Sequence, residues 1–465
     1  MSFVFVLLAG AFLPIADFFI VNVALPTIDA DLGASPALLE LVVSVYGIAY
    51  AAMLVLGGRL GDRYGRHTLF RIGLAGFIVA SLACGIAPTI GFLVAARIVQ
   101  GMTAAALVPQ VLATFHSTLD GPRKVRALAL YGATSGIAAV VGQLAGGLLV
   151  SADVAGLSWR PIFLVNVPIG LAALIAARTV PANKSPHPIA IDLVGTVLFA
   201  ATLTALILPL TEGQASGWPS WTWLSLAAAV ALAVITVAVA HRAESAGRVP
   251  LLPPSLLKLP SMRKGLPMIG LFSIGFGAFM FVFALLVQDG LHNDALRGGL
   301  SILPMAVFFF LGSVLSPRLI DRFGRGALAA GGTIQAVGLA ALILIVATGW
   351  PEVSLRSLAV PLVLMGGGQS MLFSGLFRVV LADVPAHLGG VGSGVLITVQ
   401  QASLALGVAI LGTVYVTMAT VSVPAAFATA IGTQLAIVAL LVALLRILPR
   451  FTSTEQAARP MPVEV

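Results

Sequence analysis

The amino-acid sequence predicts an all-α, polytopic membrane protein: two bundles of six transmembrane helices with two further helices inserted between them. Three observations carry that prediction. Of 465 residues, 59% are hydrophobic and only 9% charged, against about 45–50% and about 25% in a soluble domain. A soluble chain of this size could not cover its surface with so few charges. The apolar residues fall into fourteen runs of about 20 residues, the length that crosses a bilayer core as a helix. One charged motif also occurs twice, 259 residues apart, which marks an internal repeat.

The first run, residues 3–28, has no basic segment before it and no small-residue cleavage site, so it reads as a span and not as a signal peptide. It contains two polar side chains of interest, Asp17 and Asn22. Runs two to six are expected at 37–58, 68–87, 90–114, 126–151 and 161–180. The fourth holds Arg97, the one basic residue deep in a span. The fifth holds Gly132, Gly136, Gly142, Gly146 and Gly147, spaced to let helix backbones approach closely. A polar stretch, PANKSPHP, precedes the seventh and eighth runs, 191–212 and 221–241. The last six follow at 266–289, 299–319, 327–349, 357–382, 391–419 and 424–447. Long runs without alternation are helices and not barrel strands. The expected organisation is a six-helix bundle over 1–181, a linker with two extra helices over 182–265, a second six-helix bundle over 266–447 and a tail over 448–465.

Charge placement tests the span count, because an error of one helix would scramble the loops. Twenty-one of the 25 Lys and Arg lie in loops after even-numbered spans or in the tail, Arg160, Arg297 and Arg356 lie in the others, and Arg97 is inside a span. Basic loops stay on the cytoplasmic side, so both termini are expected there. The net charge of +8 is explained by this bias without a nucleic-acid partner. Cys84 is the only cysteine, so neither an intrachain disulfide nor a multi-cysteine metal site can form, and it reads as a small buried hydrophobe. No HExxH, phosphate-binding GK[ST] or Ser-His-Asp grouping is present, so neither an enzyme nor a metal or organic cofactor is expected.

The repeated motif is GRLGDRYGRH at 58–67 and PRLIDRFGRG at 317–326, with Arg, Leu, Asp, Arg, Gly and Arg matched. Both copies follow the second span of a six-span group. The first resembles the loop signature of the major facilitator superfamily. Further stretches narrow the resemblance to its fourteen-span drug:proton antiporters: ADFFIVNVALPTI at 16–28, RIVQGMTAAALVP at 97–109, GQLAGGLLV at 142–150, WRPIFLVNVPIG at 159–170 and GGVGSGVLITVQQASLALGVAILGT at 389–413. The chain departs from the pattern at Gln143, where the antiporter motif has Pro, at His67, where Arg or Lys is usual, and at Phe19, where Thr is customary.

The resemblance implies a monomeric carrier in a bacterial-type inner (plasma) membrane, driven by the proton gradient, with a site between its halves near the midplane. It implies proton coupling through Asp17 and Arg97, and a cytoplasmic gate of Gly58, Asp62, Arg63, Gly65 and Arg66, with Asp321 and Arg322 in the repeat. It also implies an antiporter motif of Gly142, Gln143, Gly146 and Gly147. Candidates for the substrate cavity are Asn22, Gln143, Asn166, Gln288, Asp289 and Gln400. Gly61 and Gly65 are expected to permit a tight turn in the loop.

The residues themselves support two readings of Asp17. A carboxylate midway along a span is costly unless neutralised, paired or hydrated, so it either carries a proton or ties two helices together as a neutral acid. Arg97 stays charged and either senses Asp17 or snorkels to the interface. The aromatic runs at 276–286 and 308–310 read mainly as lipid-facing packing, with a few rings inward. The expected function is proton-coupled export of lipophilic small molecules; a dedicated metabolite or lipid exporter, an uptake carrier and a non-transporting sensor remain as alternatives.

Overall fold

A computed structural model describes residues 2–34, 36–184, 190–385 and 389–447; the expected tail at 448–465 lies outside them. The N-terminal bundle comprises α1 (Ser2–Leu32), α2 (Pro36–Tyr64), α3 (Arg66–Gly85), α4 (Ile90–Thr118), α5 (Gly121–Ser151) and a broken sixth span, α6 (Pro161–Leu164) with α7 (Asn166–Ala176). The inserted pair is α8 (Leu193–Ala215) and α9 (Ser220–Ser245), followed by the short α10 (Pro254–Lys258). The second bundle comprises α11 (Pro260–Leu285), α12 (Ala295–Ser301) running into α13 (Leu303–Phe323), α14 (Arg325–Gly349), α15 (Ala359–Leu381), α16 (Gly389–Gly407) running into α17 (Thr413–Ala419), and α18 (Val423–Leu444). Together they make fourteen candidate membrane spans.

Van der Waals fit has to hold these helices together, since lipid is as apolar as their side chains. Glycine makes the close approach possible in both halves. A Cβ on Gly57 of α2 would fall on the Ala105 carbonyl of α4, and one on Gly366 of α15 on the Met305 carbonyl of α13. The same pair of helices in each repeat is therefore joined by the same device. The outward faces are apolar: Trp223, Leu224 and Val230 of α9 are 61%, 73% and 68% exposed, as suits contact with acyl chains.

The halves meet along two seams. On one, α5 packs against α12 and α13, and a Cβ on Gly299 would lie 3.0 Å from Leu144. On the other, α2 packs against α16. Helix α8 covers this second seam: Leu203 and Ile207 pack with Ile48, Ala51 and Ala52 of α2 and Ala405 of α16.

Several expectations change. Helix α2 continues to Tyr64, so Arg59 and Gly61 are helical, not part of a hairpin. Gly61 is required for packing, since a Cβ there would collide with the Gln110 side chain. Gly65 alone makes the turn, at φ +104°, a conformation other residues rarely adopt. Arg59 is 2% exposed and donates from Nη1 to the Ala190 and Val249 carbonyls, each at 2.9 Å, and from Nη2 to that of Pro250. Those carbonyls flank the inserted pair, so Arg59 staples its basic end to α2. The ninth span begins at Pro260, and the ninth and thirteenth spans carry π-helical turns, Leu286–Gly290 and Val408–Gly412.

Replacing Arg59 by Met strands the buried Pro250 carbonyl, removes the bonds to the part-buried Ala190 and Val249 carbonyls, and is expected to destabilise the fold by about 1–3 kcal/mol. Arg63→Met, at an exposed position, is expected to change stability by no more than about 0.5 kcal/mol. Thermal unfolding of the two variants in detergent, followed by fluorescence, checks the difference.

Candidate functional site

The proton-coupling candidates meet. Asp17 on α1 and Arg97 on α4 form an ion pair in which both side chains are fully buried. Arg97 Nη1 also donates to Gln100 Oε1 at 2.8 Å, and its Nε to the Val42 carbonyl of α2 at 3.0 Å. The other carboxylate oxygen of Asp17 accepts from Gln100 Nε2 at 3.0 Å and Asn166 Nδ2 at 2.6 Å. Ser81 of α3 accepts from the same two amides, at 3.2 and 2.9 Å, and donates to the Phe163 carbonyl at 2.9 Å. The Tyr46 ring lies under the Arg97 guanidinium at 4.2 Å, and the Tyr46 hydroxyl donates to the Pro14 carbonyl at 2.8 Å. Arg97 therefore does not snorkel. Five spans contribute to one polar cluster inside the N-terminal bundle.

The sequence suggested Asp17 and Arg97 but not their partners. Gln100 was legible in principle, because three residues after Arg97 it shares that helix face. Ser81 and Tyr46 carried no comparable signal. Asn166 was expected in the cavity; it begins α7 at the break after Val165, which turns it toward Asp17. Cys84 is buried, as expected, with its Sγ 3.5 Å from Gln100 Oε1.

The antiporter motif lies directly behind the ion pair. A Cβ on Gly142 would fall on the Ala16 carbonyl, and one on Gly146 would lie 2.7 Å from that of Ile20. Helix α5 thus rests its backbone on the stretch of α1 that carries Asp17. Gly147 is buried as well. On its other side α5 meets the second bundle, where a Cβ on Gly136 would collide with the Phe309 ring. Gln143 was expected to line the cavity; it lies at the α5–α12 contact, 3% exposed and with Nε2 unpartnered.

At the basic end, Asp62 pairs with Arg66, which reaches it from Nε at 3.1 Å and Nη2 at 2.8 Å and donates from Nη1 to the Ala113 carbonyl of α4 at 3.0 Å. His67 Nε2 lies 3.1 Å from the Ala177 carbonyl. Arg63 is exposed, over its neighbour Tyr64, and Gly58 packs near Pro109. In the repeat, Asp321 pairs with Arg378 of α15 at 2.9 Å, both about half exposed. Arg322, the expected member, lies over Phe323, because it projects from a different side of the helix end. Exposed pairs of this kind contribute about 0–1 kcal/mol.

Between the halves lies a narrow chamber with about 60 Å³ of water-accessible space, less than a drug-sized molecule occupies. Nine aromatic rings line it: Phe18, Phe19, Tyr50 and Tyr131 from the first half, Phe272, Phe276, Phe309, Phe373 and Phe377 from the second. Gln400 and Gln401 supply amides, and no charged side chain lines it. Phe276 and Phe309 belong to the runs read mainly as lipid-facing; Phe308, by contrast, is 41% exposed. Phe19, the departure from the family pattern, meets Phe276 edge-on at 6.3 Å. Of the cavity candidates, Gln400 alone lines the chamber. Asn22 is half-buried a turn from its wall, and Gln288 and Asp289 lie on the π-turn at the far end of α11, against Gly298 in the case of Gln288.

Residues 7–408 match the family model of the Major Facilitator Superfamily. The chain belongs to this superfamily. It is 35% identical over 412 residues to a probable actinorhodin transporter of Streptomyces coelicolor, covering 88% of this chain and 71% of that one. It is 34% identical over 413 residues to a puromycin resistance protein of Streptomyces alboniger, covering 88% and 80%. The fold matches the solved human organic anion transporter MFSD10 with a TM-score of 0.67 at 15% identity, over 96% of this chain and 99% of that one. As a superfamily member the chain is a multi-pass membrane transporter and not an enzyme.

Gly142→Leu forces α5 off α1 beside Asp17, and overpacking of this kind costs about 1–3 kcal/mol. The variant is expected to lose transport and to unfold at a lower temperature. Gly91→Ala meets nothing within 4 Å and is expected to match the parent in both assays.

Proposed function

We propose that the protein exports lipophilic small molecules, antibiotics among them, across a bacterial plasma membrane in exchange for protons. The single observation that carries the coupling is the buried Asp17–Arg97 pair, held inside the N-terminal bundle and apart from the aromatic chamber. Protonating Asp17 would leave Arg97 buried without its counter-ion, and breaking such a pair typically costs about 3–5 kcal/mol. Rearrangement of α1 relieves that cost. Because Gly142 and Gly146 seat α5 on α1, a shift of α1 is passed to α5 and so to the α5–α13 seam. A proton crossing a potential of about 100 mV supplies roughly 2.3 kcal/mol.

The basic end faces the cytoplasm in this reading, in keeping with the positive-inside rule, and both termini lie there. Asp62 and Arg66 brace α2 and α4 at that end and form the core of a latch whose release opens the chamber inward; Asp321 and Arg378 form its weaker counterpart. The chamber favours neutral or singly charged cargo, held by shape and ring contacts, since it offers no acid to balance a dication. The names of the antibiotic-handling relatives support the same substrate class. The carrier acts as a monomer.

In inside-out vesicles energised with a proton gradient, wild-type protein is expected to accumulate lipophilic compounds such as puromycin, while Asp17→Asn loses at least about 90% of that uptake, a tenfold effect equal to about 1.4 kcal/mol. Full proton-driven uptake by Asp17→Asn would refute the assignment of the carrier. Asp62→Asn is expected to slow turnover without abolishing cargo binding, measured by dye titration of purified protein; unchanged turnover would reduce Asp62 to a topology signal.

A further inference from the structure

A second small cavity, with about 50 Å³ of water-accessible space, adjoins the chamber between α2 and the α16–α17 rod. Phe18 lines both spaces. On α2 the chamber is lined by Tyr50 and the cavity by Val43, Ser44 and Gly47; on α16 the chamber ends at Leu404 and the cavity begins at Ala405. Given the directions of these helices, the cavity lies farther from the basic end than the chamber does. On the basic side of the cavity, the α8 contacts with Ala51, Ala52 and Ala405 close the seam.

Three features mark this space as built for a ligand. Ser44 is 7% exposed, lines the cavity and has no hydrogen-bond partner for its Oγ. Serine hydroxyls in helices ordinarily bond back to the carbonyl four residues earlier, as Ser135, Ser273 and Ser316 do here; Ser44 is left with a free donor in an apolar wall. The facing wall is the π-helical turn Val408–Gly412, which contributes Val408, Ala409 and Gly412, and such turns frequently sit at functional sites. The remaining lining is apolar apart from Thr413.

We propose that this cavity is a second cargo subsite on the exit path: the exported molecule passes Phe18 from the chamber, and Ser44 donates a hydrogen bond to an acceptor oxygen or nitrogen on it. This rests on the export reading above. The geometry asks for an apolar cargo with at least one hydrogen-bonding group, which the free Ser44 hydroxyl on this wall can meet.

The test uses the full-length protein in vesicles and nanodiscs, with Hoechst 33342, a lipophilic dye bearing ether and imine acceptors, as the probe. Ser44→Ala is expected to raise the KM for dye transport by about 2–10-fold, the loss of one hydrogen bond, with kcat and thermal unfolding unchanged. In Ser44→Cys, the introduced thiol is expected to react with N-ethylmaleimide and to be protected by the dye; the parent, whose Cys84 is buried, provides the background. Gly47→Leu, whose Cβ starts 3.3 Å from Phe18, is expected to occlude the cavity and reduce transport. Transport by the parent with an unchanged KM in Ser44→Ala and no dye protection would overturn the subsite and leave the export reading intact. Thiol protection by phospholipid alone, unaffected by dye, would make lipid the occupant and likewise overturn the proposal. Absence of any dye or puromycin transport by the parent would overturn the export reading and the subsite with it.

Discussion

A carboxylate and a guanidinium buried side by side in a low-dielectric bundle depend on each other for their charge. Asp17 and Arg97 are in this position, and the N-terminal bundle is organised around them. Moving either ion out of water is penalised by several kcal/mol after relaxation. The structure offsets that penalty with two amides on one carboxylate oxygen, the guanidinium on the other, a backbone carbonyl on Arg97 Nε, and an aromatic face beneath it. Within this cluster only Arg97 Nη2 is left buried without a hydrogen-bond partner.

The two halves differ in what they bury despite their shared repeat motif. Among the described residues, the buried charged side chains are Asp17, Arg59, Arg97 and Glu212, all in the first bundle or the inserted pair. The second bundle buries neutral amides such as Gln335, Gln369 and Gln434 and contributes five of the nine chamber rings. The buried ion pair and the aromatic chamber are therefore separated in space and joined by α1 and α5. On α1, Asp17 faces the polar cluster while Phe18 lines both cavities and Phe19 lines the chamber. On α5, Gly142 and Gly146 face α1, while Gly136 and Leu144 face the second bundle. The inserted helices add a third wall over the α2–α16 seam, fastened through Arg59.

Much of this was legible in the chain. Fourteen apolar runs and a biased distribution of Lys and Arg sufficed for the spans, because the bilayer allows a backbone few alternatives to a helix. A single acid and a single base deep within spans singled out Asp17 and Arg97, since isolated charges there need partners. Other features were hidden. Asn166 and Gln143 looked like cavity residues, yet the break after Val165 turned one toward Asp17 and the α5–α12 contact buried the other. The rings at Phe276 and Phe309 could not be told from lipid-facing neighbours, because in a helix apolar all round no periodicity distinguishes the face toward a cavity from the face toward acyl chains.

By itself the sequence determined what the membrane dictates locally: which segments span, where basic loops gather, where an intramembrane charge must find a partner and where glycine permits close packing. Only the tertiary structure decided which groups converge from distant spans. Arg59 reads as one more basic loop residue until the carbonyls of Ala190, Val249 and Pro250 are seen around it, and Ser44 reads as an ordinary helical serine until its hydroxyl is found unpartnered on a cavity wall. The physical reason is the same for both. Burial and hydrogen-bond satisfaction are properties of a neighbourhood, and these neighbourhoods are assembled from residues far apart along the chain.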